Sequence, residues 1–298
     1  MSKPNPLTDD RPTPLFALAS PKNALGEDYR RRFIAVAPNG GRRTPTDHPA
    51  LPISPEALAN TAKSCLNQGA SMMHVHVRNA SGGHALDADG YRAALGAIRK
   101  SCGDNLVLQI TTEALGIYPS DVQRNIVRDV KPEAASLAFR ELAKDEQEAE
   151  QFALLLRWMR EAGAAPQIII YDTDDLDRFQ SFLTDYSFPP EDFSVLYVLG
   201  RYVEKPQGLH QLLQFLNADA PRFRDLMVCA FGAEETACIT AAALFGASAR
   251  VGFENNLWLP SGDVAYDNAD LVASSRASLN GVGLNAGTAN DLRSLWGI

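Results

Sequence analysis

From residue 33 onward, apolar residues fall in short runs separated by longer amphipathic stretches. The runs are FIAVA (33–37), SMMHVHVR (71–78), LVLQIT (106–111), EAASLA (133–138), PQIIIYD (166–172), FSVLYVLG (193–200), LMVCAFG (226–232) and ARVGFE (249–254). Each has the length and aliphatic content of a buried strand. Helical periodicity fills the gaps, in SPEALANTAKSCLNQGA, DADGYRAALGAIRKSCG, PSDVQRNIVRDV, DEQEAEQFALLLRWMREAG, DLDRFQSFLTDY, KPQGLHQLLQFLNA and AEETACITAAALFGA. Ser54 is the expected N-cap of the first, with Pro55 in its first turn. Eight strands alternating with helices predict a parallel sheet closed into a (β/α)8 TIM barrel, and 33–298 has the size of one, about 250 residues. A doubly wound open sheet is the alternative. It wants a GxGxxG turn after its first strand, and NGG at 39–41 lacks that spacing.

Residues 1–32 are rich in Pro, Asp, Lys and Arg and show no period. They read as an N-terminal extension, either a frayed end or an arm laid against a neighbouring subunit. The expected organisation is thus 1–32 extension and 33–298 catalytic barrel.

Composition narrows the function. The 298 residues are 45% hydrophobic and 21% charged, which excludes a disordered chain. A net charge of −8 argues against nucleic acid or an anionic membrane as partner. The four cysteines, Cys65, Cys102, Cys229 and Cys238, form no CxxC pair. With no signal-like N-terminus and no apolar run of about 18 residues, a reducing, cytoplasmic setting without a membrane span is expected.

Barrel chemistry sits where the strands end, so polar residues there are the candidates. They are Asn39, Arg42 and Arg43; His74, His76 and Arg78; Thr111, Thr112 and Glu113; Ser136 and Arg140; Asp172 and Asp174; Arg201 and Lys205; Glu234 and Glu235; and Arg250, Glu254, Asn255 and Asn256. The sharpest signal is His74-Val75-His76. Side chains two apart on a strand share a face, so both imidazoles point into the mouth while Met73, Val75 and Val77 face the helices. Such a pair is either two metal ligands or two hydrogen-bonded core histidines. Glu254 can converge on it, and a His2Glu set with an open position is a catalytic zinc arrangement. Otherwise Glu254 is a partner of Arg250 or Arg78.

Here the chain resembles the β-keto acid cleavage enzymes. The carriers are APNGGRRTPTDHPALPISPEALA, GASMMHVHVR, LQITT, KPEAASL, YVLG and RVGFENN, spread from about 33 to 298. The resemblance implies a (β/α)8 barrel, a homo-oligomer (dimer or tetramer) and one divalent metal, generally zinc. It also implies a reaction that converts a β-keto acid and acetyl-CoA into acetoacetate and a new acyl-CoA. By position, it puts the metal on His74, His76 and Glu254, the catalytic arginine on Arg250, and substrate-contacting hydroxyls on Thr111 and Ser136.

Three positions depart from the family. The acid that follows the metal glutamate, and pairs with the last-strand arginine, is Asn255 here. Glu113 and Glu234 are the nearest carboxylates to stand in for it. A family glutamate that holds a substrate amino group is Arg42 here, and another falls near Ile169. An anionic or neutral β-keto acid is therefore expected rather than an aminated one, with Arg42 either binding a carboxylate or lying solvated on the surface. Arg201 and Lys205 are candidate partners for CoA phosphates. The rival readings are a non-catalytic, keto-acid-binding metal barrel and a metal-dependent hydrolase or aldolase that needs no CoA.

Overall fold

A computed structural model describes residues 30–201, 208–216 and 221–298. Eight parallel strands close into a barrel in sequence order. They are β1 (Ile34–Val36), β2 (Met72–Val75), β3 (Val107–Thr111), β4 (Ala134–Ala138), β5 (Ala165–Ile170), β6 (Ser194–Leu199), β7 (Asp225–Ala230) and β8 (Ser248–Val251). Closure is made by β8 against β1, with Ala249 opposite Ile34 and Val251 opposite Val36. This is the (β/α)8 barrel that the apolar runs predict.

Strand alternation builds two cores. Met73, Val75, Leu108, Ile110, Leu137 and Ile168 face outward, under the helices. Met72, Val107, Ala134, Ala165, Leu196 and Met227 fill the interior. Ser54, Asp87, Asp145, Asp172 and Asp267 each cap a helix by accepting from a backbone N–H three residues on. Asp172 is therefore a cap rather than part of the mouth. All four cysteines are free and buried, and no helix among the described residues is long and apolar enough to cross a membrane.

Several elements differ from expectation. The second run does not continue to 78. The strand stops at Val75, and Val77–Arg78 pairs antiparallel with His84–Ala85. The His76 carbonyl accepts from the Asn39 side chain at 3.1 Å. The last run stops at Val251 rather than 254. Helices Asn268–Gly281 and Ala289–Trp296 are additional. Leu292 and Trp296 of the latter pack into the interior core. Within the stretch assigned to the extension, Arg31 and Arg32 pair in parallel with Asn285 and Ala286. Residues 1–29 of the extension and Lys205 lie outside the described residues.

Two glycines shape the turn after β8. Gly252 has φ +130°, and a Cβ there would lie 2.4 Å from the Ala37 carbonyl oxygen. That oxygen accepts from Glu254 N at 3.0 Å, so the turn is pinned to the end of β1. Gly40, with φ +61°, would set its Cβ 2.6 Å from Glu254 Cγ. Gly252→Ala is expected to destabilise the barrel by about 1–3 kcal/mol, because backbone strain and a backbone clash act together. Thermal unfolding should show a midpoint lowered by several degrees. An unchanged midpoint would mean that the turn relaxes freely.

Candidate active site

The mouth draws residues from the ends of all eight strands. His74 lies on β2 and His76 one residue beyond its end. Both are buried, and their Nε2 atoms are 3.0 Å apart. Glu254 is not at a strand end; the Gly252 turn carries it back over the mouth. Its Oε2 lies 3.2 Å from His76 Nε2 and 3.7 Å from His74 Nε2. One donor atom from each of these three residues falls within 4.8 Å of the others. Glu254 Oε2 has no hydrogen-bond partner among the described residues although it is buried. Two imidazole nitrogens in contact with each other and a buried carboxylate oxygen without a partner, all aimed at one point, fit a divalent cation.

Electrostatics keep His74 and Glu254 in ligand form. Burial pushes His74 down to about 3, so it is neutral at physiological pH. Burial alone would raise Glu254, but Arg250, His76 and His74 outweigh it and hold the carboxyl well below its usual range. Arg250 is itself buried, and donates through Nη2 to Glu254 Oε1 at 3.3 Å and to Cys229 Sγ at 3.4 Å.

The other predicted residues separate into those that reach the mouth and those that do not. Thr111, Ser136, Glu113, Arg250 and Arg201 line an inner cavity with Ala138, Ile169, Tyr171 and Val198. The Ser136 hydroxyl is buried and has no partner among the described residues. Thr111 Oγ1 accepts from Glu113 N at 3.0 Å. Above it an outer cavity of about 370 Å³ is lined by Gly40, Gly41, Arg42, Arg43, Glu113, Arg201, Phe231 and Glu254. Arg42 is exposed on that rim, and neither it nor Arg43 makes a side-chain hydrogen bond or salt bridge among the described residues.

Arg201, the candidate partner of CoA phosphates, borders both cavities. It pairs with Glu113 Oε1 inside the cavity wall. The second Glu113 oxygen lies 3.9 Å from His76 Nδ1. Glu234 lines neither cavity; it accepts from Gly208 N at 3.3 Å, away from the mouth. Asn255 also lines neither. It is fully buried, both its amide atoms lack partners among the described residues, and so it makes no hydrogen bond to Arg250. The loop after β8 spends itself on presenting Glu254, and the Asn255 backbone is tied to Gly252 and Gly232.

Two contributors, His84 and Gln109, escaped the reading of the sequence, and two of its candidates, Arg78 and Glu235, take up supporting places. Arg78 fastens the 39–43 loop by donating to the Gly40, Arg43 and Gly82 carbonyls. His84 donates through Nε2 to the Glu113 carbonyl, 2.8 Å away, with its ring 5.5 Å from that of His76. Gln109, inward on β3 as strand alternation with Thr111 requires, contacts His74 Nδ1 at 2.7 Å. Glu235 is fully buried beside Asn256.

A closed parallel barrel with a polar, partly unsatisfied cluster at its C-terminal mouth defines a barrel enzyme. Comparison with known proteins narrows the class. A family model for the beta-keto acid cleavage enzyme matches residues 31–298. The 3-keto-5-aminohexanoate cleavage enzyme of Fusobacterium nucleatum subsp. nucleatum is 28% identical over 251 residues, covering 80% of this chain and 88% of that one. A 3,5-dioxohexanoate:acetyl-CoA acetone transferase of Paraburkholderia graminis is 24% identical over 299 residues, with 89% and 95% covered. Among solved structures, ObcA in complex with oxaloacetate superposes with a TM-score of 0.65 at 19% identity, over 84% of this chain and 67% of that one, a likeness of fold. The chain belongs to the beta-keto acid cleavage enzyme family.

Glu235 gives a test of the site's electrostatics. Burial pushes its carboxyl up to about 8, against the opposing pull of Asn256, the Gly252 backbone, Arg250 and Arg43. The folded state therefore holds a proton that the unfolded chain releases near the ordinary value of 4.5. Stability from this group is lost as pH rises from about 4.5 towards 8. Glu235→Gln should flatten that decline, by on the order of a few kcal/mol at pH 9. Parallel stability–pH curves for the two proteins would show that Glu235 is charged in the fold.

Proposed function

We propose that the chain cleaves a non-aminated β-keto acid with acetyl-CoA, releasing acetoacetate and a new acyl-CoA. The observation that carries this reading is the convergence of His74, His76 and Glu254 beside Arg250 at the mouth of a barrel of this family. A zinc or similar divalent ion held by those three residues would polarise a ketone and a carboxylate oxygen of the substrate.

The chain's own residues supply the rest. Glu113 borders both cavities, and Arg201 occupies only one of its oxygens, so it is placed to take the proton from C2. C2 then attacks the acetyl thioester carbonyl and the CoA thiolate leaves. The thiolate adds to the original ketone, the C2–C3 bond breaks, and the C2 carbanion takes the proton back. Each addition puts negative charge on oxygen. Arg250 supplies a fixed cation there, and the unpartnered Ser136 hydroxyl and that of Thr111 supply donors. Ala138, Ile169, Tyr171 and Val198 form the wall against which the substrate's carbon chain lies.

The rim adds selectivity. Arg42 and Arg43 line the outer cavity without a salt bridge among the described residues. An incoming carboxylate, or the phosphates of CoA, would meet guanidinium groups there. An ammonium group would meet repulsion. The setting that goes with this reading is a cytoplasmic homo-oligomer.

Release of acyl-CoA that depends on acetyl-CoA, measured across a panel of β-keto acids, tests the reaction. Turnover of the same acids without acetyl-CoA would point to a hydrolase or aldolase, and binding without turnover to a keto-acid-holding barrel. His76→Ala should lose bound zinc and turnover together, whereas full metal occupancy in that variant would overturn the ligand assignment. Glu113→Gln should keep its metal and lose about 10²–10⁴ in kcat. Arg42→Glu should weaken dicarboxylic β-keto acids relative to aminated ones; an unaltered ranking would place Arg42 outside recognition.

A further inference from the structure

Buried side chains in the barrel interior form one hydrogen-bonded line that begins at the N-terminal end of the strands and finishes on His74. Trp296 Nε1 donates to Asp225 Oδ2 at 3.0 Å. Ser194 Oγ reaches the same oxygen at 3.5 Å. Gln167 Nε2 donates to Ser194 Oγ at 3.3 Å, and Gln109 Nε2 donates to Gln167 Oε1 at 3.1 Å. Gln109 Oε1 faces His74 Nδ1 at 2.7 Å. Gln109 and Gln167 are fully buried, and Ser194 and Asp225 nearly so. The strand register explains why they meet: His74 lies opposite Gln109, and Gln167 and Asp225 both lie opposite Ser194.

A hydroxyl or an amide can reverse by turning over, so no single link sets the direction of such a line. Its far end does. Burial pushes Asp225 up to about 6, so at neutral pH it is a carboxylate and can only accept. Trp296 can only donate. Ser194 gives its proton to Asp225 and must therefore accept from Gln167. Gln167 turns its nitrogen to Ser194 and its oxygen to Gln109. Gln109 in turn presents an oxygen to His74. An acceptor at 2.7 Å requires the imidazole proton on Nδ1, which leaves the lone pair on Nε2. That is the atom facing His76 and Glu254.

We propose that Gln109 is a positioning residue that holds His74 as its Nδ1–H tautomer, and that Gln109 inherits its orientation through Gln167 and Ser194 from Asp225. The proposal rests on the metal reading above and deepens it, because a ligating imidazole needs its free lone pair turned to the ion. The residue that primes the ligand is then set from the opposite end of the barrel.

The test uses the full chain, zinc as the probe and two readouts. Zinc affinity is measured by chelator competition, and the His74 tautomer by imidazole ¹⁵N shifts in the metal-free protein. Gln109→Met keeps the volume and removes the acceptor. It should weaken zinc by about 10–100-fold and lose the uniform Nδ1–H signature. Gln109→Glu keeps an acceptor for His74 and should retain both. Gln167→Met leaves Gln109 free to turn over and should give a mixed tautomer with a smaller loss of affinity. If Gln109→Met fails to fold, Gln167→Met carries the same tautomer readout. Wild-type affinity and tautomer in whichever of these two variants folds would overturn the proposal, as would a proton on Nε2 in the wild type. A wild type with the Nδ1–H tautomer that binds no zinc would support the hydrogen-bonded line and refute the metal reading.

Discussion

A guanidinium buried inside a barrel has to be neutralised where it stands, and the ion pair of Arg250 with Glu254 meets that constraint. The same pair sets the state of everything around it. Arg250 holds Glu254 ionised, which leaves a second carboxylate oxygen as an unprotonated donor. Burial and the same positive charge keep His74 neutral. Geometry follows the charge. Glu254 can reach Arg250 only because Gly252 reverses the chain after β8 and Gly40 leaves room for the glutamate's stem. The NGGRR loop can lie there only because Arg78 ties its carbonyls down.

The barrel was legible because periodicity is local. Eight apolar runs separated by amphipathic stretches define the eight strands to within a few residues, and the His-x-His spacing correctly turned His74 and His76 towards one face. What escaped depends on groups distant in the chain. The pairing of Arg201 with Glu113 spans 88 positions, and neither residue's neighbours announce it. Gln109 sat in plain view on an alternating strand, but its meaning depends on the register that sets it opposite His74. RVGFE reads as continuous strand, and only the glycine hints at the turn that moves Glu254. The helix Asn268–Gly281 mixes small polar and apolar residues, which blurs the stripe that periodicity detects. Asn255 exposes a limit of transfer by position: a residue aligned with a working acid is here a buried amide without partners among the described residues.

The three converging donors come from opposite ends of the chain, His74 and His76 from its first third and Glu254 from its last sixth. Between them runs β1, three residues long, which pairs with β8 on one side and β2 on the other. The cluster therefore straddles the seam at which the barrel closes. No partly assembled barrel contains it, since the first strands lack the carboxylate and the last lack the imidazoles. A ligand that bridges the seam would bind the closed form alone and stabilise it by mass action. The site is in this sense a clasp: occupancy would report that the two ends of the sheet have met, and would hold them together at the shortest strand.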